Sequence, residues 1–185
     1  MPLVKEIRVE QWWGKAGWFV PRAFSHHDLR YFSALTNVHT LNIQRLKIYH
    51  FLPAVDRYFG HFSHTLRSIT LFDPKCTPRQ LSHFISLFPS LEDIRIDGGD
   101  ASSPGITIPD TALVPFSAPK LQGRLTLHHF HWVETWTDLI ALCGGLRFHH
   151  MDLRGSVSCA AILLKACAET LESLRFEMAD STVGK

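Results

Sequence analysis

Leu91-Glu92-Asp93-Ile94-Arg95-Ile96 carries the structural logic of the chain in six residues. Its apolar residues stand at L-x-x-L-x-L spacing, and from Ile94 onward apolar and polar residues alternate. An extended strand with that alternation turns Ile94 and Ile96 to one side and Asp93, Arg95 and Asp97 to the other. The same doublet recurs along the chain as Ile7/Val9, Leu41/Ile43, Ile69/Leu71, Leu125/Leu127, Met151/Leu153 and Leu174/Phe176, at intervals of 34, 28, 25, 31, 26 and 23 residues. Seven copies of one short unit predict that each strand lies beside the next in a coil.

Positions not used to find the doublets test that register. Three residues ahead of each stand Val4, Val38, Leu66, Leu91, Gln122, Phe148 and Leu171, all apolar except Gln122. The positions flanking and separating the doublet residues read Glu6, Arg8, Glu10; Thr40, Asn42, Gln44; Ser68, Thr70, Phe72; Asp93, Arg95, Asp97; Arg124, Thr126, His128; His150, Asp152, Arg154; and Ser173, Arg175, Glu177. Only Phe72 among them is apolar, in a chain that is 45% hydrophobic. The spacing is that of a leucine-rich repeat, so the expected fold is an irregular, ribonuclease-inhibitor-like α/β solenoid of about seven units. Its parallel sheet would line the concave face and its helices the convex one.

The segments between doublets supply helical patterns. Leu81, Phe84, Ile85 and Phe88 follow i, i+3, i+4, i+7 spacing, as do Trp136, Leu139, Ile140 and Cys143, and Cys159, Ile162, Leu163 and Ala166. A looser stripe runs through Leu52, Val55, Phe59 and Phe62. Thr77-Pro78-Arg79-Gln80 has the form of a capping box with proline at the first helical position, and Ser25-His26-His27-Asp28 is a related start signal. Gly144-Gly145 closes the Trp136 helix. Residues 98–120, rich in Gly, Ser and Pro, read as a loop inserted in a single repeat domain that spans 1–185. Trp12, Trp13, Trp18 and Phe19 are read as filling the first turn of the coil. No polar capping unit is evident at either end, so the chain is expected to belong to a longer protein or to associate through an exposed sheet edge.

The uneven units, the Phe/Leu/His-rich helices and phrases such as Leu35-Thr-Asn-Val-His-Thr-Leu-Asn-Ile43 and Phe88-Pro-Ser-Leu-Glu-Asp-Ile-Arg-Ile96 resemble the repeat regions of fungal F-box-like leucine-rich-repeat proteins. The resemblance implies a substrate-recruiting surface in a ubiquitin ligase subunit. A cullin-linked adaptor is implied as a partner only where an F-box precedes the repeats, and none is visible ahead of Val4. Trp12, Leu46, Pro74, Gly99, Phe130, Ser156 and Ala179 occupy the position where regular repeats carry an Asn/Cys ladder, which points to an irregular coil.

Composition narrows the function classes. A formal net charge of +2 and five Arg against six acidic residues among the outward positions, with no Lys, suit a protein or peptide partner better than a nucleic acid. Arg presents a rigid fork of donors to carboxylates, so Asp93, Arg95, Asp97, Arg124, His128, His150, Asp152, Arg154 and Arg175 are the candidate partner-binding residues. Pairing of the same groups among themselves across strands is the competing reading. No apolar run approaches the roughly 20 residues that span a bilayer, no signal peptide is evident, and a cytoplasmic or nuclear location is expected. Cys76, Cys143, Cys159 and Cys167 form no C-x-x-C pair and read as small buried hydrophobes.

Twelve histidines invite a metal reading. Rungs about 4.8 Å apart would bring His128, His150, Asp152 and Asp97 toward one ion. No H-E-x-x-H or H-x-x-x-H pair accompanies them, and ordinary surface histidines are the preferred assignment, with no cofactor or metal expected. No G-x-S-x-G, P-loop or G-x-G-x-x-G occurs, and an open repeat face has no deep pocket in which to dry a reaction, so a non-catalytic protein is expected. The alternatives to the ligase-type reading are a free-standing repeat scaffold or sensor and, third, a histidine-based metal-binding protein.

Overall fold

Each apolar doublet lands on a strand. The computed structural model describes residues 4–10, 32, 34–45, 58–74, 76–98, 121–130, 136–137, 140 and 146–178. The strands are β1 (Glu6–Glu10), β2 (Thr40–Gln44), β3 (Ser68–Phe72), β4 (Asp93–Asp97), β5 (Leu121–Phe130), β6 (Leu146–Gly155) and β7 (Ser173–Met178). They form one open sheet whose spatial order is the chain order, and each neighbouring pair is parallel. Helix α1 (Pro78–Ser86) connects β3 to β4, and α2 (Val157–Cys167) connects β6 to β7.

The doublets are in register across the whole sheet. Ile7, Leu41, Ile69, Ile94, Leu125, Met151 and Leu174 face one another in one row, and Val9, Ile43, Leu71, Ile96, Leu127, Leu153 and Phe176 in the next. In β1 through β6 all twelve are buried. At roughly 1.5–3 kcal/mol for each large apolar side chain taken from water, these two rows are the main reason the strands hold this register. A slip of one residue would put every one of them on the polar side.

A column of shared carbonyls locks the strand entries. The Lys5 carbonyl accepts from the N–H groups of His39 (2.8 Å) and Thr40 (3.0 Å), that of His39 from Arg67 (2.9 Å) and Ser68 (3.0 Å), and that of Arg67 from Glu92 (2.8 Å) and Asp93 (3.0 Å). The Glu92 carbonyl accepts from Arg124 at 2.7 Å. Gly123 sits at φ +90°, and a Cβ there would lie 2.2 Å from the Glu92 oxygen. Only glycine has room for that carbonyl. The odd residue in the leading apolar column has a related cause: Gln122 is exposed and Leu121, one place earlier, is buried instead. Opposite it, β6 carries His149 as an extra residue between Phe148, paired with Gly123, and His150, paired with Arg124.

A second column closes the strand exits. Arg45, Asp73, Gly98 and His129, each one residue past the outward row, adopt left-handed φ values of 54°, 48°, 75° and 54°. The N–H groups of Arg45, Asp73 and Gly98 donate to the last carbonyl of the following strand row, on Phe72, Asp97 and His128, at 2.7–2.8 Å. Arg45 and Asp73 are not glycine, so at these two the turn is imposed by these bonds against an intrinsic cost of roughly 1–2 kcal/mol per residue.

On the apolar side, α1 starts from the expected capping box: the Thr77 hydroxyl accepts from the Gln80 N–H at 3.3 Å, and the Gln80 side chain accepts from the Thr77 N–H at 2.9 Å. Leu81, Phe84, Ile85 and Phe88 are all buried. Phe59 lies edge-on to Phe32, Phe62, Phe84 and Phe88, with centroids 5.7, 5.6, 6.0 and 6.5 Å away. In α2 the buried stripe is Cys159, Leu163 and Cys167, while Ile162 and Ala166, expected inside, are half-buried at its margin. Trp136 and Ile140 are helical, as their spacing predicts, and Trp136 is fully buried. Leu52, Val55, Leu139, Cys143, Gly144-Gly145, the Trp-rich segment after β1, the Ser25 start signal and all but Gly98 of the 98–120 insertion lie outside the described residues.

Cys76, Cys159 and Cys167 are free and buried. Burial pushes the Cys159 thiol up to about 11 and raises Cys76 well beyond the ordinary range; at Cys167 burial also raises it, opposed by a backbone hydrogen bond at Phe148. At about pH 8, where an exposed cysteine is partly thiolate, these three are expected to react with Ellman's reagent only after denaturant is added. Rapid labelling of all three in the native chain would contradict the packing of α1 and α2.

Candidate functional site: the polar face of the sheet

The outward positions form three rows. The first runs Glu6, Thr40, Ser68, Asp93, Arg124, His150, Ser173; the second Arg8, Asn42, Thr70, Arg95, Thr126, Asp152, Arg175; the third Glu10, Gln44, Phe72, Asp97, His128, Arg154, Glu177. Parallel in-register pairing thus gathers every candidate residue on one face. On β2 and β3 that face is uncharged, offering hydroxyl and amide groups and the Phe72 ring. From β4 to β7 it is ionic and of mixed sign.

Part of this surface is paired with itself. In the third row His128 sits between two carboxylates, with Nδ1 3.8 Å from Asp97 and Nε2 3.7 Å from Asp152. Its side chain is only 12% exposed. Arg154 Nε lies 3.6 Å from Asp152 and 3.3 Å from Glu177, and His129, past the turn, brings Nδ1 to 3.3 Å from Asp97. His128 Nε2, Asp152 Oδ1 and Arg154 Nε are buried yet none makes a hydrogen bond of good geometry. The chain Asp97, His128, Asp152, Arg154, Glu177 is therefore an electrostatic ladder with donors and acceptors to spare. At the strand entries Arg67 pairs with Glu92, and Asn42 donates to Glu6 at 2.7 Å.

Arg8 pairs with Glu10 at 2.6 Å, and three further outward arginines stand outside that ladder. Arg95 stacks over the Phe72 ring, its guanidinium carbon 5.6 Å from the centroid. Arg124 lies in register between Asp93 and His150, and Arg175 beside Asp152, but among the described residues neither forms an ion pair. Asp93 has the Ser68 hydroxyl at 3.5 Å. Arg95 and Arg175 lie in the second row and Arg124 in the first, beside a ladder of three carboxylates that holds one arginine and one histidine.

The histidine grouping weighed as an alternative from the sequence is not brought together as a set. His150 occupies the first row, in register with Arg124, while His128 occupies the third, in register with Arg154. Four residues of strand separate the two rows, about 13 Å at the usual rise. Among the described residues no set of three His, Cys, Asp or Glu side chains is placed to hold a metal ion.

His129 was not among the candidate residues, although it belongs to the His128-His129-x-His131 cluster. Its approach to Asp97 depends on the left-handed turn, for which a histidine gives no sequence signal. Among the described residues no helix is long and apolar enough to cross a membrane. Comparison with protein-family models, with characterised proteins and with solved structures returns no match.

Proposed function

We propose that the chain is a leucine-rich-repeat solenoid whose polar, concave face binds an extended protein segment carrying carboxylates. The observation that carries this reading is the trio of Arg95, Arg124 and Arg175 on one face of the sheet, with no ion pair of their own among the described residues. An Arg already backed by an aromatic ring, as Arg95 is, loses less freedom on binding than a solvated Lys, and a guanidinium fork matches a carboxylate in two bonds. The uncharged β2 and β3 positions extend the same face with hydrogen-bonding groups, and Phe72 offers it one apolar contact. The ligand in this reading is a peptide of mixed polarity with acidic anchors, and the role is binding, without catalysis.

Peptide display on the purified chain tests the reading. Selected sequences are expected to be enriched in Asp and Glu, and Arg95→Ala, Arg124→Ala and Arg175→Ala are each expected to weaken them about fivefold, on the order of 1 kcal/mol apiece. Selected peptides that bind the triple variant as well as the wild type would refute it. Within the same reading we favour the substrate-recruiting half of an F-box-type ligase subunit over a free-standing scaffold. Mapping the 5′ end of the transcript separates the two: an in-frame helical module of about 40 residues upstream supports the ligase role, and a confirmed start at Met1 supports the scaffold.

A further inference from the structure

Building on the arginine reading above, we propose that His128 couples binding of the acidic segment to proton uptake, so that the polar face holds its ligand more tightly as the solution is acidified. Histidine is the side chain that ordinarily gains its proton between about pH 8 and about pH 5. Among the described residues, His128 and His150 stand in the outward rows and His129 in the exit turn. Of these, His128 alone is wedged between carboxylates of both neighbouring strands. Its Nδ1 lies 3.8 Å from Asp97 on β4 and its Nε2 3.7 Å from Asp152 on β6, and its side chain is only 12% exposed. His129 is 73% exposed, where water screens its charge. His150 has a cation, Arg124, on one side in register and a hydroxyl, Ser173, on the other.

A neutral imidazole fits this position badly. It offers one N–H and one lone pair, so at most one of the two carboxylates finds a donor and the other faces an acceptor. His128 Nε2 and Asp152 Oδ1 are accordingly both buried without a hydrogen-bond partner. A second proton on the ring supplies one donor to each carboxylate. The charge balance moves with it. Asp97, Asp152 and Glu177 set three carboxylates against the guanidinium of Arg154, which stands in register with His128 and reaches to 3.6 Å from Asp152 and 3.3 Å from Glu177. The ladder therefore carries an excess of two negative charges while His128 is neutral, and of one once it is protonated. His129 approaches Asp97 from the exit turn, and the remaining charged or titratable groups of β4 to β6 in the outward rows, Asp93, Arg95, Arg124 and His150, lie one or two rows away. An acidic ligand on Arg95, Arg124 and Arg175 comes down beside that excess, so removing a charge from it favours the ligand. Asp152 also stands in register with Arg175 and competes for it; drawn to a protonated His128, it competes less. Linkage makes the coupling reciprocal: affinity is greatest at low pH and is lost as the pH rises and the proton leaves. The carboxylates of a peptide ordinarily titrate near 4, so the ligand keeps its charge at about pH 5.5.

Fluorescence anisotropy of a labelled, display-selected acidic peptide, measured at fixed ionic strength at about pH 8 and about pH 5.5, tests the coupling, with circular dichroism to check that each variant is folded. The wild type is expected to bind about tenfold more tightly at the lower pH. His128→Gln, which keeps a neutral hydrogen-bonding side chain, is expected to bind within about twofold at the two values, and His39→Gln, at a strand entry, to keep the wild-type ratio. In the unaltered chain, saturating peptide is expected to move the nuclear magnetic resonance titration midpoint of the His128 ring upward. A wild type that binds equally at both values or more tightly at the higher one, a ratio that survives in His128→Gln, or a midpoint unmoved by peptide would each overturn the coupling. The triple variant Arg95→Ala, Arg124→Ala, Arg175→Ala separates the two claims. A peptide that needs these arginines but binds the wild type equally at both values overturns the coupling alone, whereas one that binds the triple variant as tightly as the wild type overturns the arginine reading and the coupling built on it.

Discussion

Gly123→Ala is expected to destabilise the fold by roughly 2–6 kcal/mol, a large part of the 5–15 kcal/mol that typically holds a domain together. At φ +90° an alanine is strained by roughly 1–3 kcal/mol before any contact is considered. Its Cβ would then fall 2.2 Å from the Glu92 carbonyl oxygen, an overlap with main chain that no side-chain rotation relieves. Moving the backbone apart costs roughly another 1–3 kcal/mol and weakens the 2.7 Å bond from the Arg124 N–H to that same oxygen. Urea unfolding measures the effect, and Gly60→Ala is the control, because nothing lies within 4 Å of a Cβ at that position. If the two variants unfold at the same denaturant concentration, β4 and β5 are not joined as described.

Phe59→Ala is the other large effect, with an expected loss of roughly 3–5 kcal/mol. Phe59 is 2% exposed and lies edge-on to four rings contributed by the segments before β2 and β3 and by α1 with its following turn. Removing it leaves a cavity among Phe62, Phe84 and Phe88, which are themselves buried and can close over it only in part. Phe59→Leu refills most of the volume and is expected to cost about 1–2 kcal/mol. Equal losses for the two substitutions, or a loss below about 1 kcal/mol for alanine, would show that the aromatic cluster does not bridge the first helical layer to the sheet.

The sheet was legible in the sequence because its physical signal is repeated. Seven doublets and twenty-one outward positions obey one period, and a register error would have inverted all of them. The capping box at Thr77 was equally plain, since it is a local device written in four residues. What escaped has a different physical origin. The left-handed turns at Arg45 and Asp73 are set by bonds to the next strand, so residue type says little about them. Gln122 looked like a defect in the apolar column because the one-place shift to Leu121 and the close approach at Gly123 depend on where the Glu92 carbonyl lies. The candidate binding residues were gathered on one face as expected. Their division into a paired ladder and three arginines outside it was not legible, because it depends on distances of 3–4 Å between side chains on different strands. His150 stands apart from His128 for a simpler reason: alternation places both on the polar face, but row membership depends on register counted along the strand.

Nuclear magnetic resonance mapping of a display-selected peptide on the isotope-labelled chain tests the central claim most directly. The account predicts that the shifts concentrate on the outward residues of β4 to β7, with Arg95, Arg124 and Arg175 moving most and the buried doublets between them moving little. Shifts centred on α1 and α2, with the polar face unmoved, would contradict it.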